Sequence, residues 1–308
     1  MPLVSFILPA YKARFLAEAI ASILAQRVPH WELVIIDDAS PEDLKAIVDT
    51  FADPRIRYYR NAKNIGGRDL VEQWNYCISY AAGEYLVLAA DDDIYHPDYL
   101  KTCLDLAATY PDVNLIRARV AVIGEKNELL NIDGSTPTYC SKHAFLYYWL
   151  RATVFTCIGN YMFKTNALKD KGFVNFPSAF CSDAATAILL AEDGVANTQD
   201  MLFSFRISGI HLSSSKAQLD KKLEANTQFY SWLLDLNYER PIDELTAFFY
   251  KENNKSYIYS KCVYDYYNQV IKFLPWYKFS AIWDCQLLST KDKWKMFARF
   301  TVNKLLGK

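Results

Sequence analysis

Residues 85–93 read Tyr85-Leu86-Val87-Leu88-Ala89-Ala90-Asp91-Asp92-Asp93, an apolar run that stops on three successive aspartates. A short run without polar alternation reads as a strand covered on both faces. Similar runs lie at 3–8, 33–36, 56–59 and 114–123, and stretches with helical periodicity at 15–25, 41–51, 70–81 and 97–108. Strands alternating with helices at this spacing predict βαβ units, and hence an α/β fold with a mostly parallel sheet flanked by helices. Ligands of such sheets bind beyond the carboxyl ends of the strands, so function is expected in the loops that follow them.

Three of those strand ends carry residues a core would not choose. The first ends in Pro9-Ala10-Tyr11, the second in Asp37-Asp38 and the fourth in Asp91-Asp92-Asp93. Carboxylates set against apolar runs are costly unless cations or hydrogen-bond donors meet them. For Asp37-Asp38 the plain alternative is a helix N-cap region, since Ser40-Pro41-Glu42 looks like a helix start. For the three aspartates the alternatives are a solvated turn and a divalent-cation site, whose all-oxygen ligands favour Mg²⁺ or Mn²⁺ over zinc. No G-x-G-x-x-G follows the first strand and no P-loop occurs anywhere, so the common dinucleotide and P-loop readings lack support. Asn64-Ile65-Gly66-Gly67-Arg68 is glycine-rich ahead of a helix, the pattern of a helix-entry turn or of a phosphate cradle.

Composition bounds the rest. A chain of 308 residues can bury roughly 75% of its unfolded surface and needs no disulfide or metal to fold. Its 52% hydrophobic content argues against disorder, and a net charge of −1 gives no general reason to bind nucleic acid. Seven cysteines without a C-x-x-C pair fit neither a zinc site nor a disulfide framework, and point to a reducing compartment. No run approaches the ~20 apolar residues of a membrane span. Residues 1–8 lack a basic segment and meet Pro9 too early for a signal peptide, so the cytoplasm is the expected location. The aromatic residues, 22 Tyr, 18 Phe and 7 Trp, gather towards the C-terminus and ask for an explanation of their own.

Taken in order, these motifs resemble those of the bacterial family 2 glycosyltransferases, which have the GT-A fold. The resemblance begins with Ile7-Leu8-Pro9-Ala10-Tyr11 as opening strand and nucleotide loop. It continues through the strand and acidic turn from Glu32 to Ser40, then Asn64-Ile65-Gly66, Trp74-Asn75 and Ala82-Gly83-Glu84-Tyr85. Asp91-Asp92-Asp93 stands where the metal motif belongs, with Ala90 at the position usually held by its first aspartate. Gly159-Asn160-Tyr161 and Lys171-Gly172-Phe173 resemble the acceptor side, Ser182-Asp183 precedes a helical stretch, and Arg206 and His211 close the pattern.

The resemblance implies roles for individual residues. Pro9, Ala10 and Tyr11 would form the nucleotide loop, with Tyr11 against the base. Asp38 would hydrogen-bond the base or ribose, Asn64 and Gly66 would lie beside the nucleotide, and Asp91 would hold the ribose. Asp92 would bind Mn²⁺ or Mg²⁺, with His211 completing the metal shell or serving structure alone. Displacing a nucleoside diphosphate builds negative charge that a cation stabilises. An acceptor hydroxyl needs a carboxylate to take its proton, and Asp183 would be that base, with Asp93 and Glu192 next in line. A single base attacking in line implies inversion. For Asp183 too a plainer reading exists, a helix cap shared with Ser182.

The expected organisation is a GT-A domain over 1–215 and a helical, aromatic-rich extension over 216–308. Helices are predicted at 219–236, 242–250 and 257–274, and residues 291–308 carry six Lys/Arg against one Asp. That last helix would either lie on an anionic membrane surface or pack on the domain with a solvated basic face. The implied partners are a nucleotide-sugar donor, with uridine as the preferred base, and a glycan or lipid-linked acceptor of surface polysaccharide synthesis. Two rivals remain: a nucleotidyltransferase of similar fold, disfavoured by the lack of glycine in 9–14, and a non-catalytic glycan-binding module.

Overall fold

The structure, a computed structural model, describes residues 2–208 and 218–307. The described residues form two compact units, one of 2–174 and 183–208 and the other of 175–182 and 218–307. The first unit runs β1 (Val4–Ala10), α1 (Leu16–Leu24), β2 (Trp31–Asp37), α2 (Leu44–Val48), β3 (Ile56–Arg60), α3 (Leu70–Ile78) and β4 (Tyr85–Leu88). It continues with β5 (Ile94–Tyr95), α4 (Tyr99–Thr109), β6 (Leu115–Ile123), β7 (Leu129–Ile132), β8 (Tyr139–Cys140) and α5 (Lys142–Leu150). It closes with β9 (Tyr161–Lys164), α6 (Thr165–Lys171), α7 (Ser182–Leu190) and β10 (Val195–Arg206).

One sheet orders these strands β3-β2-β1-β4-β9-β6-β10-β5, with β7 on β6 and β8 on β10. β3, β2, β1 and β4 are parallel, β9 runs against both β4 and β6, and β10 is parallel to β6. The carboxyl ends of β1, β2, β4 and β6 therefore share one edge, the edge at which ligands of such sheets bind. β1, β2 and β4 are buried almost throughout, because helices cover both faces. Their apolar side chains join those of α1 and α4 in one core that includes Phe6, Leu33, Val87 and Leu100.

The expected helix start at Ser40-Pro41-Glu42 needs correction. Helix α2 begins at Leu44, and its cap is Asp43, whose carboxylate accepts the Ala46 amide at 3.1 Å. Ser40 is committed elsewhere: its hydroxyl donates to the Tyr11 carbonyl at 2.7 Å and accepts the Glu42 amide at 3.0 Å. The preceding Ala39 takes a left-handed φ of 53°, turning the chain sharply after the acidic pair.

The second unit is helical: α8 (Leu219–Asp235), α9 (Glu244–Glu252), α10 (Lys255–Asp265), α11 (Ala281–Asp284) and α12 (Thr290–Leu305). The stretch expected as one helix over 257–274 breaks into α10, a wider π-helical turn at Tyr266–Val270 and a 3₁₀ turn at Ile271–Phe273. Its core gathers Leu223, Tyr266, Val270, Ile282, Met296 and Phe300. Among the described residues no helix is long and apolar enough to cross a membrane.

Candidate active site

At the carboxyl edge of the sheet the acidic residues divide by what they hold. Asp37 is fully buried and structural. Its carboxylate accepts the Ser40 amide at 2.7 Å and the Tyr58 hydroxyl at 2.5 Å, and pairs with Arg60. Burial, reinforced by that carboxylate, pushes the Tyr58 hydroxyl up to about 12. Asp38 reaches into the following loop, accepting Asn61 Nδ2 at 2.8 Å and the amides of Ile65 and Gly66 at 2.9 and 2.7 Å. Three donors leave one of its roughly four lone-pair sites for anything else. A Cβ on Gly66 would stand 3.1 Å from Asp38 Oδ2, so the loop lies tight on this carboxylate. Asn64 turns the same loop by accepting the Gly67 amide through its side chain.

Asp91 ties the end of β4 to the end of β1, its Oδ2 accepting the amides of Tyr11 and Lys12 at 2.9 and 2.8 Å. Burial raises its carboxyl against those two hydrogen bonds. Tyr11 is thus pinned at its amide by Asp91 and at its carbonyl by Ser40, while its ring stays 40% exposed beyond the half-buried Pro9 and the buried Ala10. Asp93 turns inward. It accepts the Arg206 amide at 2.9 Å, and burial, then the charge of Asp92, push its carboxyl well above the usual range. Asp92, half-buried, stands between these two committed neighbours.

Arg206 is the residue under this turn to which the sequence reading assigns no role. Its guanidinium is fully buried and donates to the Asp92 carbonyl at 2.8 Å, to the Gly124 carbonyl at 3.2 Å, to Asn127 Oδ1 at 2.7 Å and to Glu18 at 2.9 Å. One side chain therefore fixes the turn after β4 against the end of β6 and against α1. A buried arginine can persist only with such a full set of acceptors, and an arginine closing an apolar strand is the signal that could have marked it. A second buried cation, Arg117, pairs with Asp133, whose carboxylate also accepts the Phe155 amide at 2.7 Å. Asn160 completes this support, its Nδ2 donating to the Ala118 carbonyl at 2.9 Å.

Asp183 is the second residue of α7, and its Oδ1 accepts the Ala184 amide at 2.8 Å. Burial pushes its carboxyl up to about 6. The Cys157 thiol, raised chiefly by its own burial, also feels the charges of both Asp93 and Asp183, so the segment after α5 lies within electrostatic reach of the β4 turn and of α7. Glu192 follows α7 at its far end and pairs with Lys142 at the surface, roughly 13 Å along the helix from Asp183 at 1.5 Å per residue. Just before α7, Ser178, Ala179 and Cys181 all take left-handed φ values. His211 lies outside the described residues.

Among the described residues no three His, Cys, Asp or Glu side chains gather as a metal cluster. The donor set nevertheless suits a hard cation bound jointly with a substrate. Asp92 would supply one oxygen ligand, and, beyond the effect of burial, its charge already raises the neighbouring Asp93 carboxyl, as carboxylates packed close together do. Mg²⁺ commonly binds through one or two carboxylates together with phosphate oxygens and water.

A mostly parallel sheet with an acidic turn after its fourth strand is the architecture of the GT-A glycosyltransferases. The chain belongs to glycosyl transferase family 2, whose profile matches residues 5–171. The matched stretch holds the acidic turns and ends before Asp183. WcaA of Escherichia coli (strain K12), a glycosyl transferase named for colanic acid biosynthesis, is 38% identical over 106 residues, 33% of this chain and 37% of its own. WfgD of Escherichia coli, a UDP-Glc:alpha-D-GlcNAc-diphosphoundecaprenol beta-1,3-glucosyltransferase, is 34% identical over 96 residues, 30% of this chain and 36% of its own. The chain thus spans little more than a third of either relative. S. aureus TarS 1–349, solved with UDP-GlcNAc, superposes with a TM-score of 0.66 over 100% of this chain and 93% of that one. At 15% identity that likeness is one of fold.

Proposed function

We propose that the protein is a metal-dependent, inverting glycosyltransferase that moves a sugar from a UDP-sugar to a hydroxyl of a glycan or lipid-linked acceptor in surface polysaccharide synthesis. The observation that carries this reading is Asp183, a carboxylate at the start of α7 whose pKa is raised to about 6. That value leaves it ionised at neutral pH yet basic enough to take a proton from a hydroxyl as attack proceeds. The acceptor oxygen bonds to the sugar carbon while the bond to the diphosphate breaks. The hydroxyl proton passes to Asp183, and the nucleoside diphosphate departs with the bonding pair.

In this reading the Tyr11 ring stacks on the base, and Asp38, Asn64 and Gly66 line the nucleotide. Asp91, whose Oδ2 already braces the Tyr11 loop, offers its other oxygen to the ribose. Asp92 would hold Mn²⁺ or Mg²⁺, assisted by His211. A cation bound there offsets the charge developing on the diphosphate. The choice of uridine and of a lipid-linked acceptor draws on the substrates in the name of WfgD and on the UDP-GlcNAc bound by TarS. Polysaccharide assembly draws on the name of WcaA.

The test is release of nucleoside diphosphate from a panel of UDP-, GDP- and dTDP-sugars, with Mn²⁺ or with chelator, in the presence of a lipid-diphosphate-linked sugar acceptor. UDP release that needs the metal, with inversion at the transferred carbon by NMR, is the expected result. Glycan binding without turnover would replace the enzyme by a binding module, and retention would remove the single-displacement mechanism.

A further inference from the structure

The second unit carries an aromatic surface that the transfer reaction does not use. The Trp276 ring lies flat on Phe300, with centroids 5.8 Å apart and planes within 4°. Phe279 connects Trp276 to Trp283 at 6.5 and 6.4 Å, and Trp283 meets Trp294 edge-on at 5.7 Å. This run of rings joins the 3₁₀ turn at Trp276–Lys278 to α12. Phe300 and Met296 anchor α12 inward. The outer rings remain in water: Trp276 is 49% exposed, Trp294 59% and Tyr277 77%.

The charge around these rings is mostly positive, although Asp292 lies 3.9 Å from Lys295 and Asp220 pairs with Lys278. Residues 271–308 hold eight Lys and Arg against two Asp, in a chain whose total is −1. On the outward face of α12, Lys291 and Lys295 alternate with Trp294, Val302 and Leu305, all exposed. At its inner margin Lys304 extends over the Phe300 ring at 5.3 Å and donates to the Lys272 carbonyl at 3.0 Å. A second copy of the chain would bring the same positive rim against this one and be repelled. An anionic surface would be attracted. Tryptophan and tyrosine, apolar bodies with a polar tip, suit the boundary between headgroups and hydrocarbon, and lysine stems reach outward from it.

We infer that this face docks on an anionic phospholipid surface, with Trp276, Tyr277 and Trp294 seated among the headgroups and α12 lying in the surface plane. The docking is independent of which sugar the protein transfers. Co-sedimentation of the full-length protein with phosphatidylcholine vesicles, with and without phosphatidylglycerol, tests it. The protein sediments with the anionic vesicles and is released by high salt. Each lysine near such a surface contributes about fivefold to partition, so Lys291→Gln with Lys295→Gln lowers it roughly 25-fold. Trp294→Ser lowers it further, with circular dichroism confirming that the helices are retained. Absence of sedimentation with anionic vesicles, equal sedimentation with neutral ones, or a Trp294-dependent dimer in their place overturns the inference. Nucleoside diphosphate release with a soluble acceptor stays unchanged in the lysine variant, which separates this result from any failure of the transfer reading.

Discussion

The backbone amide of Arg206 donates to Asp93 Oδ1 at 2.9 Å across 113 residues of chain, while the guanidinium of the same residue donates to the carbonyl of Asp92. The end of β10 thereby sets the shape of the turn after β4. Arg206→Ala would take the guanidinium donors from the Asp92 and Gly124 carbonyls, the second keeping the Asn127 amide at 3.1 Å, and a buried acceptor left short costs about 1–3 kcal/mol. We expect a loss of at least about 2 kcal/mol of unfolding free energy in urea, together with weaker donor binding. A variant as stable as wild type would show that water replaces the guanidinium.

Asp92→Ala should remove metal-dependent transfer and spare the fold, because this half-buried carboxylate stands at a strand end with its two neighbours doing the bracing. Activity assays across a Mn²⁺ series, paired with thermal melting, check both halves. Wild-type turnover with the same metal dependence would place the cation elsewhere.

Asp183 gives a prediction with a defined sign. A base works only when ionised, and burial sets its pKa at about 6, so kcat/KM should fall as pH drops through about 6 and level off above it. Asp183→Asn should lower transfer by about 10²–10⁴-fold, abolish that inflection and leave UDP affinity nearly unchanged. Asn and Asp serve almost equally as helix caps, so a variant within a few-fold of wild type would assign Asp183 a capping role.

Tyr11→Ala keeps the amide that Asp91 holds and removes only the half-exposed ring. Calorimetry with UDP should show a loss of about 1–3 kcal/mol, the scale of an aromatic side chain stacked on a base. Unchanged affinity would put the base elsewhere.

The parts of the fold that can be read from the sequence are those whose signal is local. β1, β2 and β4 are largely apolar runs, and the aspartates at the end of β2 and after β4 mark the carboxyl edge of the sheet. β10 is different: its twelve residues pass through Thr198-Gln199-Asp200, where the register against β6 shifts, and a strand interrupted by polar residues has no clean period. β5 and β8, with two residues each, carry no period at all. Within the site the residue types are legible and their partners are not. Asp38 meets Gly66 across 28 residues and Arg117 meets Asp133 across 16, pairings that depend on strand order rather than on neighbouring sequence.

Six of the seven cysteines are buried, and burial pushes the thiols of Cys77, Cys103, Cys140, Cys157 and Cys262 upward, towards the unreactive protonated form. Cys181 alone is half-buried, and it precedes Asp183 by two residues. The natural chain thus offers a chemist one addressable position next to the residue whose role most needs watching. On the proposed transfer reading, a fluorophore attached there is expected to respond to acceptor arrival without an engineered cysteine.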